Sequence, residues 1–454
     1  MFRPRLASAL LSTGMLAGGL VPLAIADQMP AADPVVVTAP SAPTTDPDRI
    51  VLTPATDTTT AQTVTWRTST DVTEPVLEWS PDTANPWGFK KQSVKATTEI
   101  IDSDLGYKQA FHTATITDLA PGTTYLYRVG GAGEFSGWMP FTTSDPNAKK
   151  TSLIAMGDIQ KGHKEHWTRV ADKAHDDRPH AKAMITAGDQ VNTFNKDVEW
   201  HDMFNAAAMI PREMMWLPAV GNHEYKSTNS GELTPQYRAQ FTLPENGPTD
   251  FEHFKETVYY TDVDDVRVVT LNSYYRIPLE KADEQRWLDA QAAWLDKLLT
   301  DNPREFTIVN MHYPIYSSSP DRGNPELRKT IQPILDKHQV DLVLQGHDHA
   351  YVSGQKDLDA NKNKPNNGPI YVTSSSSNRQ YPLDWTDWAK NGATPITAFH
   401  SISTYQTIDV VDGKLVYAAK DSTGKMMDEW VVEKNPAGKK KVRNTYSSGV
   451  MPSK

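Results

Sequence analysis

Cysteine is absent from all 454 residues of the sequence. Its absence excludes disulfides, thiolate zinc sites and cysteine nucleophiles, so any metal site must use oxygen and imidazole ligands. Basic residues are outnumbered by acidic ones, and the formal net charge is −10. This balance argues against a general nucleic-acid-binding surface.

Long apolar runs are missing after the first 26 residues, and no later segment reaches the roughly 20 apolar residues that a membrane-spanning helix needs. At the start, two arginines precede an apolar stretch that ends in an A-x-A pattern at Ala26. This arrangement predicts an export signal over residues 1–26 and a periplasmic or secreted mature protein. An uncleaved membrane anchor is the alternative, and Pro22 and the small residues near the end of the stretch argue against it.

The next segments predict a linker and a β domain. Residues 27–46 are rich in Pro, Ala, Thr and Ser, a composition typical of an extended linker. Over residues 47–145, short alternating strand patterns lie between turn residues, which predicts a small β-sandwich. The segment DLAPGTTYLYRV, residues 118–129, resembles the strand-turn-strand of fibronectin type III domains. Fold alone assigns this domain no function.

A second domain is predicted over residues 150–434. Apolar strand patterns there alternate with helical stretches, which indicates an α/β sheet. Residues 369–434 show strands joined by tight turns, and we expect them to complete the same domain. The polar residues 435–454 contain the basic cluster GKKKVR and are predicted to form a solvated tail, with surface tethering as the alternative.

Five apolar strand patterns in this second domain each end at residues able to bind a metal ion. These residues are Asp158, Asp189, Asn222, His312, and the pair His347 and His349. Ligands gather at the carboxyl ends of parallel strands, so the chain order would bring these tips together. Glycine precedes four of the tips and permits a close approach.

In this order, the motifs GD, GD, GNHE, H and GHDH resemble those of the calcineurin-like metallophosphoesterases. With a β-sandwich in front, the chain is most similar to the purple acid phosphatase branch over about residues 49–433. The resemblance implies an α/β (α+β) domain with a mixed two-sheet β-sandwich core flanked by helices. It also implies a metal-dependent phosphoric ester hydrolase.

The resemblance further implies two metal ions from Fe, Zn or Mn, with the Asp189 carboxylate bridging them. The implied ligand sets are Asp158, Asp189 and His349 for one ion, and Asp189, Asn222, His312 and His347 for the other. Such oxygen and imidazole donors suit these metals on chemical grounds as well, and a bridging anion offsets the repulsion of two cations about 3.5–4 Å apart.

Two positions depart from the purple pattern. Asn192 stands where the family places a tyrosinate ligand, and Gln160 stands where glycine or histidine is usual. Without a phenolate, no charge-transfer colour is expected, and either side chain is a candidate metal ligand or neighbour of the ligands. His163 and His166 are candidate substrate contacts, although the segment around them also resembles an exposed helix start.

The chemistry that follows is phosphate ester hydrolysis. Two cations would bind phosphate oxygens and lower the pKa of a bound water toward ~7, so that a metal-bound hydroxide attacks phosphorus in line. His223, beside Asn222, is predicted to give the leaving group its proton. Glu224 is predicted either to orient its neighbours or to cap the loop, and Asp348 to face away from the metals.

We therefore expect an exported hydrolase of phosphate monoesters. A phosphodiesterase or a nucleotide pyrophosphatase is the alternative among enzymes, because one metal pair serves all three reactions and the surrounding loops choose the substrate. Outside enzymes, the alternative is a surface-binding protein with a vestigial metal site.

Overall fold

The computed structural model describes residues 41–207, 209–226, 231–275, 281–356, 367–435 and 439–450. The predicted export signal and residues 27–40 of the predicted linker lie outside this part of the chain. None of the helices in the described part is long and apolar enough to cross a membrane.

The N-terminal part is a β domain, as predicted. Its strands are β1 (Asp48–Thr53), β2 (Gln62–Thr68), β3 (Val76–Pro81), β4 (Gln92–Lys95), β5 (Thr97–Asp102), β6 (Lys108–Ile116), β7 (Thr124–Gly131), β8 (Glu134–Phe135) and β9 (Met139–Thr142). Strands β1, β2, β6 and β5 lie in one sheet, and β3, β4, β7, β8 and β9 form the other. Trp66 from the first sheet and Tyr127 and Phe141 from the second belong to one buried cluster, so the two layers share a core.

The second part continues with fourteen strands and seven helices in the described residues. Its strands are β10 (Lys150–Met156), β11 (Ala183–Thr186), β12 (Met215–Pro218), β13 (Tyr259–Val263), β14 (Val266–Thr270), β15 (Phe306–Asn310), β16 (Leu342–Gln345), β17 (Tyr351–Lys356), β18 (Ile370–Thr373), β19 (Ala393–Phe399), β20 (Thr404–Val411), β21 (Lys414–Asp421), β22 (Met426–Lys434) and β23 (Lys440–Ser447). Its helices are α1 (Thr168–Asp177), α2 (Asp197–Ala206), α3 (Ile210–Glu213), α4 (Pro235–Gln240), α5 (Lys281–Asp301), α6 (Pro325–Lys337) and α7 (Thr386–Lys390). Short 3-10 turns cover Pro86–Gly88, Asn222–Glu224 and Glu252–Phe254, and a π turn covers His163–Trp167.

Two mixed sheets pack against each other in this second part, which confirms the predicted two-sheet core. One sheet runs in the order β23-β22-β21-β20-β10-β11-β12 and continues into β1, and the other runs β13-β14-β15-β16-β18-β17-β19. The central strands β10, β11 and β12 are parallel, as are β14, β15, β16 and β18. Their carboxyl ends therefore share an edge in each sheet.

Strand β10 shows why the central parallel strands are apolar along most of their length. Its alternate residues Leu153 and Ala155 pack between the two sheets, while Ile154 and Met156 pack in a second cluster with helical residues such as Val170. A strand covered on both faces needs apolar side chains on both, so it appears in the sequence as an uninterrupted hydrophobic run.

The N-terminal domain shares a sheet with the second part. Strand β1 pairs in parallel with β12, with Leu52 opposite Met215. The larger sheet consequently passes from one domain into the other with eleven strands in the described residues.

The prediction of a solvated tail over residues 435–454 is wrong where β23 forms. This strand pairs antiparallel with β22, and Lys440 is only 3% exposed. The Lys440 ammonium donates to two backbone carbonyls and lies 3.1 Å from the Asp341 carboxylate. Buried Lys440 and Val442 alternate with exposed Lys441 and Arg443, so the basic run conceals the two-residue period of a strand.

A buried carboxylate connects the two sheets. Asp428 of β22 is fully buried and accepts five hydrogen bonds of 2.5 to 3.0 Å. The donors are the side chains of Tyr351, Ser353, Thr397, Trp430 and Asn444. All five are uncharged, and burial raises the pKa of Asp428 above its ordinary value despite them.

Replacing this acceptor should destabilise the fold. Asp428→Ala removes the acceptor of four buried donors and of the partly buried Asn444 amide, so we expect the free energy of unfolding to fall by about 3 kcal/mol or more. Urea denaturation followed by tryptophan fluorescence measures the loss. Glu433→Ala on the same strand removes a partner of the exposed Lys414 and Arg443 and is the control. An equal loss in both variants would contradict the structural role of Asp428.

Candidate metal centre

The six predicted ligands come together where strands of the two sheets end. Strand β10 leads to Asp158, β11 to Asp189, β12 to Asn222, β15 to His312, and β16 to His347 and His349. Three of these strands belong to one sheet and two to the other. Each sheet therefore contributes candidate ligands to the centre from its carboxyl-terminal edge.

Two groups of potential ligand atoms share one carboxylate. The ligand atoms of Asp189, His312 and His347 lie within 4.8 Å of one another, and so do those of Asp158, Asp189 and His349. Asp189 Oδ2 is 3.3 Å from His312 Nε2, and Asp158 Oδ1 is 3.6 Å from His349 Nε2. Each group is compact enough for a metal ion, and Asp189 is placed to serve both.

Asn222 joins the group that contains His312. Its side-chain Oδ1 lies 3.1 Å from His312 Nε2, and the residue is partly buried in a 3-10 turn. An amide oxygen at this position adds a neutral donor to a group that already contains a carboxylate and two imidazoles.

Several backbone positions at the centre have an unusual conformation. Asp158, Asp189, His347 and His349 all have positive φ, between 42° and 75°. Such conformations cost non-glycine residues about 1 kcal/mol or more each, so the surrounding fold must hold them. They turn the backbone sharply after each strand, where the ligand atoms of these residues come together.

Close approach explains two of the glycines that precede the ligands. A Cβ at Gly221 would lie 2.1 Å from Asp189 Oδ1, and a Cβ at Gly346 would lie 2.5 Å from Asp158 Oδ2. Both distances are shorter than a van der Waals contact, so a side chain at either glycine would displace a carboxylate of the centre.

Backbone groups orient the histidine rings. His312 Nδ1 is 2.8 Å from the Ala187 carbonyl, and His349 Nδ1 is 3.1 Å from the Arg379 carbonyl, so each Nδ1 donates and each Nε2 faces the centre. The backbone N–H of His347 donates to Asp158 Oδ2 over 2.7 Å. In metal sites this arrangement presents a free ring nitrogen to the ion.

The charges at the centre are poorly balanced by protein groups. Burial would lower the pKa of His312, but the Asp189 carboxylate raises it to about 9. Burial raises the pKa of Asp158 well above its ordinary value, and it lowers the pKa of His349 to about 3. A metal ion bound near neutral pH would therefore displace the proton of His312.

One carboxylate oxygen supports the binding of a cation here. Asp158 is fully buried, and its Oδ1 has no hydrogen-bond partner among the residues that the structure describes. This oxygen faces His349 Nε2, which has no proton to donate when Nδ1 carries it. A metal ion between two such lone pairs satisfies both, whereas protein groups alone leave them facing each other.

Glu224 ties together the loops that carry Asp189 and Asn222. Its Oε2 accepts the backbone N–H groups of Asp189 and Gly221 over 3.0 and 2.7 Å. Its Oε1 accepts those of Gln190 and Val191 over 2.8 and 3.4 Å. Burial, followed by the nearby Asp189 charge, raises the pKa of Glu224 to about 7. The two roles considered for this residue, orienting its neighbours and capping the loop, are one role in the structure.

His223 lies beside the shared carboxylate and reaches solvent. Its side chain is 27% exposed, and its Nε2 is 3.9 Å from Asp189 Oδ2. The backbone N–H of His223 donates to Asp189 Oδ1 over 3.0 Å, while ring Nδ1 is 2.5 Å from the Asn192 carbonyl. The ring edge that carries Nε2 thus faces the centre, where a leaving group would need a proton.

The two residues that depart from the purple pattern differ in their surroundings. Asn192 contributes its backbone carbonyl to His223, and its side-chain amide donates to Thr193 Oγ1 over 3.1 Å. Gln160 is 1% exposed, and neither atom of its amide has a hydrogen-bond partner in the described part of the chain. The amide of Gln160 is therefore left without a partner in the described residues, whereas the Asn192 amide is already hydrogen-bonded.

The two candidate substrate histidines have protein partners. His163 is 6% exposed, its Nε2 is 3.0 Å from the Gln190 carbonyl, and burial lowers its pKa to about 4. His166 Nε2 is 2.6 Å from Ser403 Oγ. These contacts favour structural roles over the predicted contact with substrate.

Asp348 anchors a neighbouring loop. Its carboxylate accepts hydrogen bonds from Ser317, Ser318 and Arg322, at distances between 2.6 and 3.3 Å. None of these partners is a predicted ligand, which agrees with the expectation that Asp348 faces away from the metals.

Two arginines that the motifs do not mark lie close to the histidine ligands. Arg322 donates to the His347 carbonyl over 2.8 Å. The guanidinium groups of Arg322 and Arg379 lie 5.3 and 5.2 Å from the ring centre of Tyr381, and that ring is 4.6 Å from the His349 ring. Both arginines are only partly buried. In the sequence, Arg322 was marked only by its position after β15, the strand that leads to His312, while Arg379 follows β18, which leads to none of the predicted ligands.

Comparison with known families gives two matches along the chain. Residues 47–143 match the family described as purple acid phosphatase, N-terminal domain, and residues 151–351 match the calcineurin-like phosphoesterases. Both matches fall on the parts of the chain described above as the β domain and the two-sheet domain.

Among curated proteins, purple acid phosphatase 22 of Arabidopsis thaliana is 28% identical over 384 residues, which cover 81% of each chain. Two uncharacterized proteins of Mycobacterium tuberculosis are 25% identical over 319 residues, 63% of this chain and 58% of theirs. The chain thus spans little more than half the length of these mycobacterial relatives.

Among solved structures, a purple acid phosphatase from yellow lupin (Lupinus luteus) seeds has a TM-score of 0.69 at 17% identity, covering 90% of this chain and 77% of that one. PhoD has a TM-score of 0.62 at 12% identity, covering 89% of this chain and 92% of that one. At these identities the two likenesses concern the fold alone.

The role of Glu224 can be tested by a substitution that keeps its shape. Glu224→Gln replaces one acceptor oxygen by an amide that faces backbone N–H donors, so the loops of Asp189 and Asn222 should move apart. We expect metal affinity to fall roughly 10- to 100-fold. Calorimetric titration of the metal-free protein with Zn²⁺ or Mn²⁺ measures this change.

Glu232→Gln is the matched control, because that side chain is 54% exposed and pairs only with Lys226 among its described ion pairs. Unchanged metal affinity in Glu224→Gln would show that the loops hold their positions without this carboxylate.

Proposed function

The chain belongs to the calcineurin-like phosphoesterases that carry a purple acid phosphatase N-terminal domain, and on this premise we propose that it hydrolyses phosphate monoesters at a centre of two metal ions. The observation that carries the proposal is the position of Asp189 in both ligand groups. Membership of the family makes the chain a metal-dependent phosphoesterase, and the number of ions and the ester class are the proposed refinements.

The ligand sets support two ions. One group offers Asp158, Asp189 and His349, and the other adds Asn222, His312 and His347 to the shared carboxylate. Oxygen and imidazole donors suit Zn, Mn and Fe, from which we propose the pair is drawn. Bound there, the ions would hold phosphate oxygens and activate a water molecule for in-line attack on phosphorus.

Residues of the chain would complete the reaction at the leaving group. His223 presents Nε2 beside the shared carboxylate and is partly open to solvent, so it is placed to protonate the departing alkoxide. The Asn192 carbonyl accepts a hydrogen bond from Nδ1–H and thereby orients the ring with Nε2 toward the centre.

Positive charge outside the ligand groups favours monoesters over diesters. Arg379 adds a cation close to the His349 ligand, whereas the charge of Arg322 is already paired with the Asp348 carboxylate. A phosphate monoester carries up to two negative charges and a diester carries one, so the Arg379 charge stabilises the monoester more strongly. The alternative of a vestigial site loses support, because all predicted ligand residues are present and converge.

We also propose that the protein is exported. The support comes from the sequence: the positive start, the apolar stretch and the A-x-A end at Ala26. Mass spectrometry of the protein from a secreting bacterial host should give a mature N-terminus at Asp27. A protein that keeps residues 1–26 would contradict cleavage.

The proposed activity can be tested on the purified protein after reconstitution with Zn, Mn or Fe. We expect two metal ions per chain by elemental analysis, and a higher kcat/KM for p-nitrophenyl phosphate than for bis(p-nitrophenyl) phosphate. Asp189→Asn should lose metal and reduce kcat/KM by roughly 10²-fold or more, because both ions lose a ligand.

Asp289→Asn on the exposed face of α5 is the matched control and should retain full activity. A faster diester reaction would favour the phosphodiesterase alternative. Failure to retain any metal after reconstitution would count against the enzyme centre as a whole.

A further inference from the structure

The proton donor His223 depends on a backbone carbonyl for its orientation. Ring Nδ1 lies 2.5 Å from the Asn192 carbonyl, a short hydrogen bond that sets the rotation of the ring. Asn192 belongs to the segment between Asp189 and α2, so the ring can be held in place only if this segment is held as well.

Glu199 holds that segment. Its Oε2 accepts the backbone N–H groups of Asn192 and Thr193 over 2.7 and 2.8 Å. Both bonds reach one carboxylate oxygen in the first turn of α2, two residues after the helix begins at Asp197. The Asn192 carbonyl and the Thr193 N–H belong to the same peptide group. Its N–H donates to Glu199, and its carbonyl accepts from His223 Nδ1.

Side chains of the N-terminal domain bind Asp197, the first residue of α2. Arg49 of β1 and Arg67 of β2 reach Asp197 Oδ2 at 2.9 and 3.3 Å, and Tyr107 OH donates to the same oxygen over 2.6 Å. Asp48 pairs with Arg67, which gives the cluster two cations and two anions. The side chains of Arg49, Arg67 and Asp197 are at most 1% exposed.

From this unbroken series of contacts we infer that the N-terminal domain positions the proton donor His223, with Glu199 as the positioning residue between them. The inference rests on the proposed function in one respect, namely that His223 protonates the leaving group. It assigns the β domain a role inside the reaction, since Asp197 and Glu199 share the rigid first turn of one helix.

The contacts are strong enough to transmit position. A buried, charge-balanced cluster resists displacement, because moving Asp197 would take the ion-pair partner from the buried Arg49 guanidinium and leave Arg67 paired with Asp48 alone. The hydrogen bonds that Glu199 accepts are charge-assisted and so stronger than neutral ones. Relaxation at either end should allow the Asn192 carbonyl, and with it the His223 ring, to rotate.

The kinetic test compares substrates with poor and good leaving groups. A misplaced acid slows the hydrolysis of phenyl phosphate, whose leaving group needs a proton, much more than that of 2,4-dinitrophenyl phosphate. For Glu199→Gln we expect kcat on phenyl phosphate to fall roughly tenfold or more, part of the roughly 10²–10⁴-fold that a general acid contributes. The rate for the dinitrophenyl ester should change little, with rates expressed per bound metal.

The N-terminal end is tested by Tyr107→Phe, which removes one bond to Asp197 without leaving a buried charge unpaired and so avoids the folding risk of an Asp197 variant. It should show a smaller loss of the same kind. Asp202→Asn is the matched control. Asp202 lies on the same helix as Glu199, and its ion pair is with Lys164 of the π turn, not with Asn192 or His223. In a His223→Asn background, Glu199→Gln should add no further loss on phenyl phosphate.

A spectroscopic measurement tests the same inference without activity. In metal-free protein labelled with ¹⁵N-histidine, the His223 Nδ1–H signal is assigned by its disappearance in His223→Asn. We expect this proton to exchange slowly with solvent in the parent protein and in Asp202→Asn, and markedly faster in Glu199→Gln and Tyr107→Phe.

The outcomes separate the two proposals. Unchanged exchange and unchanged leaving-group dependence in Glu199→Gln would overturn the positioning role, whatever the enzyme hydrolyses. Effects in Glu199→Gln with none in Tyr107→Phe would overturn the part assigned to the N-terminal domain. If His223→Asn slows the hydrolysis of phenyl phosphate and of 2,4-dinitrophenyl phosphate by the same factor, the proton-donor role in the proposed function fails. The exchange data then decide alone whether the domain orients the ring: faster exchange in both variants supports it, and unchanged exchange overturns it.

Discussion

The structure around the centre depends on the burial of one carboxylate, Asp189, between groups from several loops. One of its oxygens accepts the backbone N–H of His223, and the other faces the Nε2 atoms of His312 and, farther away, His223. A side chain at Gly221 would collide with the Asp189 carboxylate, and the backbone N–H of Asp189 donates to Glu224. A buried anion in such surroundings is stable only when cations or protonated rings face it, which is the physical reason for a metal centre here.

The two sheets make this convergence possible. Strands that are parallel within each sheet direct their carboxyl ends to a common edge, and packing of the sheets brings two such edges together. The loops that follow can then hold strained backbone conformations, because the strand residues directly before them are buried. The glycines and the positive φ values at the candidate ligands thus result from bringing several loops of the chain close together around one small centre.

The N-terminal domain is integrated into this arrangement through backbone and charge. Its strand β1 extends the larger sheet beside β12, the strand that leads to Asn222. Its arginines bind the start of α2, the helix that holds the carbonyl facing His223. A domain connected in both ways would influence the geometry of the centre even though the contacts that join them involve none of the predicted ligands.

The candidate ligands, the β domain in front and the alternating strand-helix pattern behind it were predictable from the sequence, because each has a local signal. An apolar run that ends in Gly-Asp or Gly-His marks a buried strand with a polar tip, whatever the rest of the chain does. The basic run at Lys440 gave the wrong answer because lysine can bury its stem against a strand, and only pairing with β22 reveals the period. The carbonyl of Asn192, the guanidinium groups of Arg322 and Arg379, and the sharing of a sheet between domains depended on tertiary structure alone. Backbone carbonyls are present at every residue, and arginines occur on most surfaces. What makes these groups part of a site is proximity between distant segments, which no local pattern encodes.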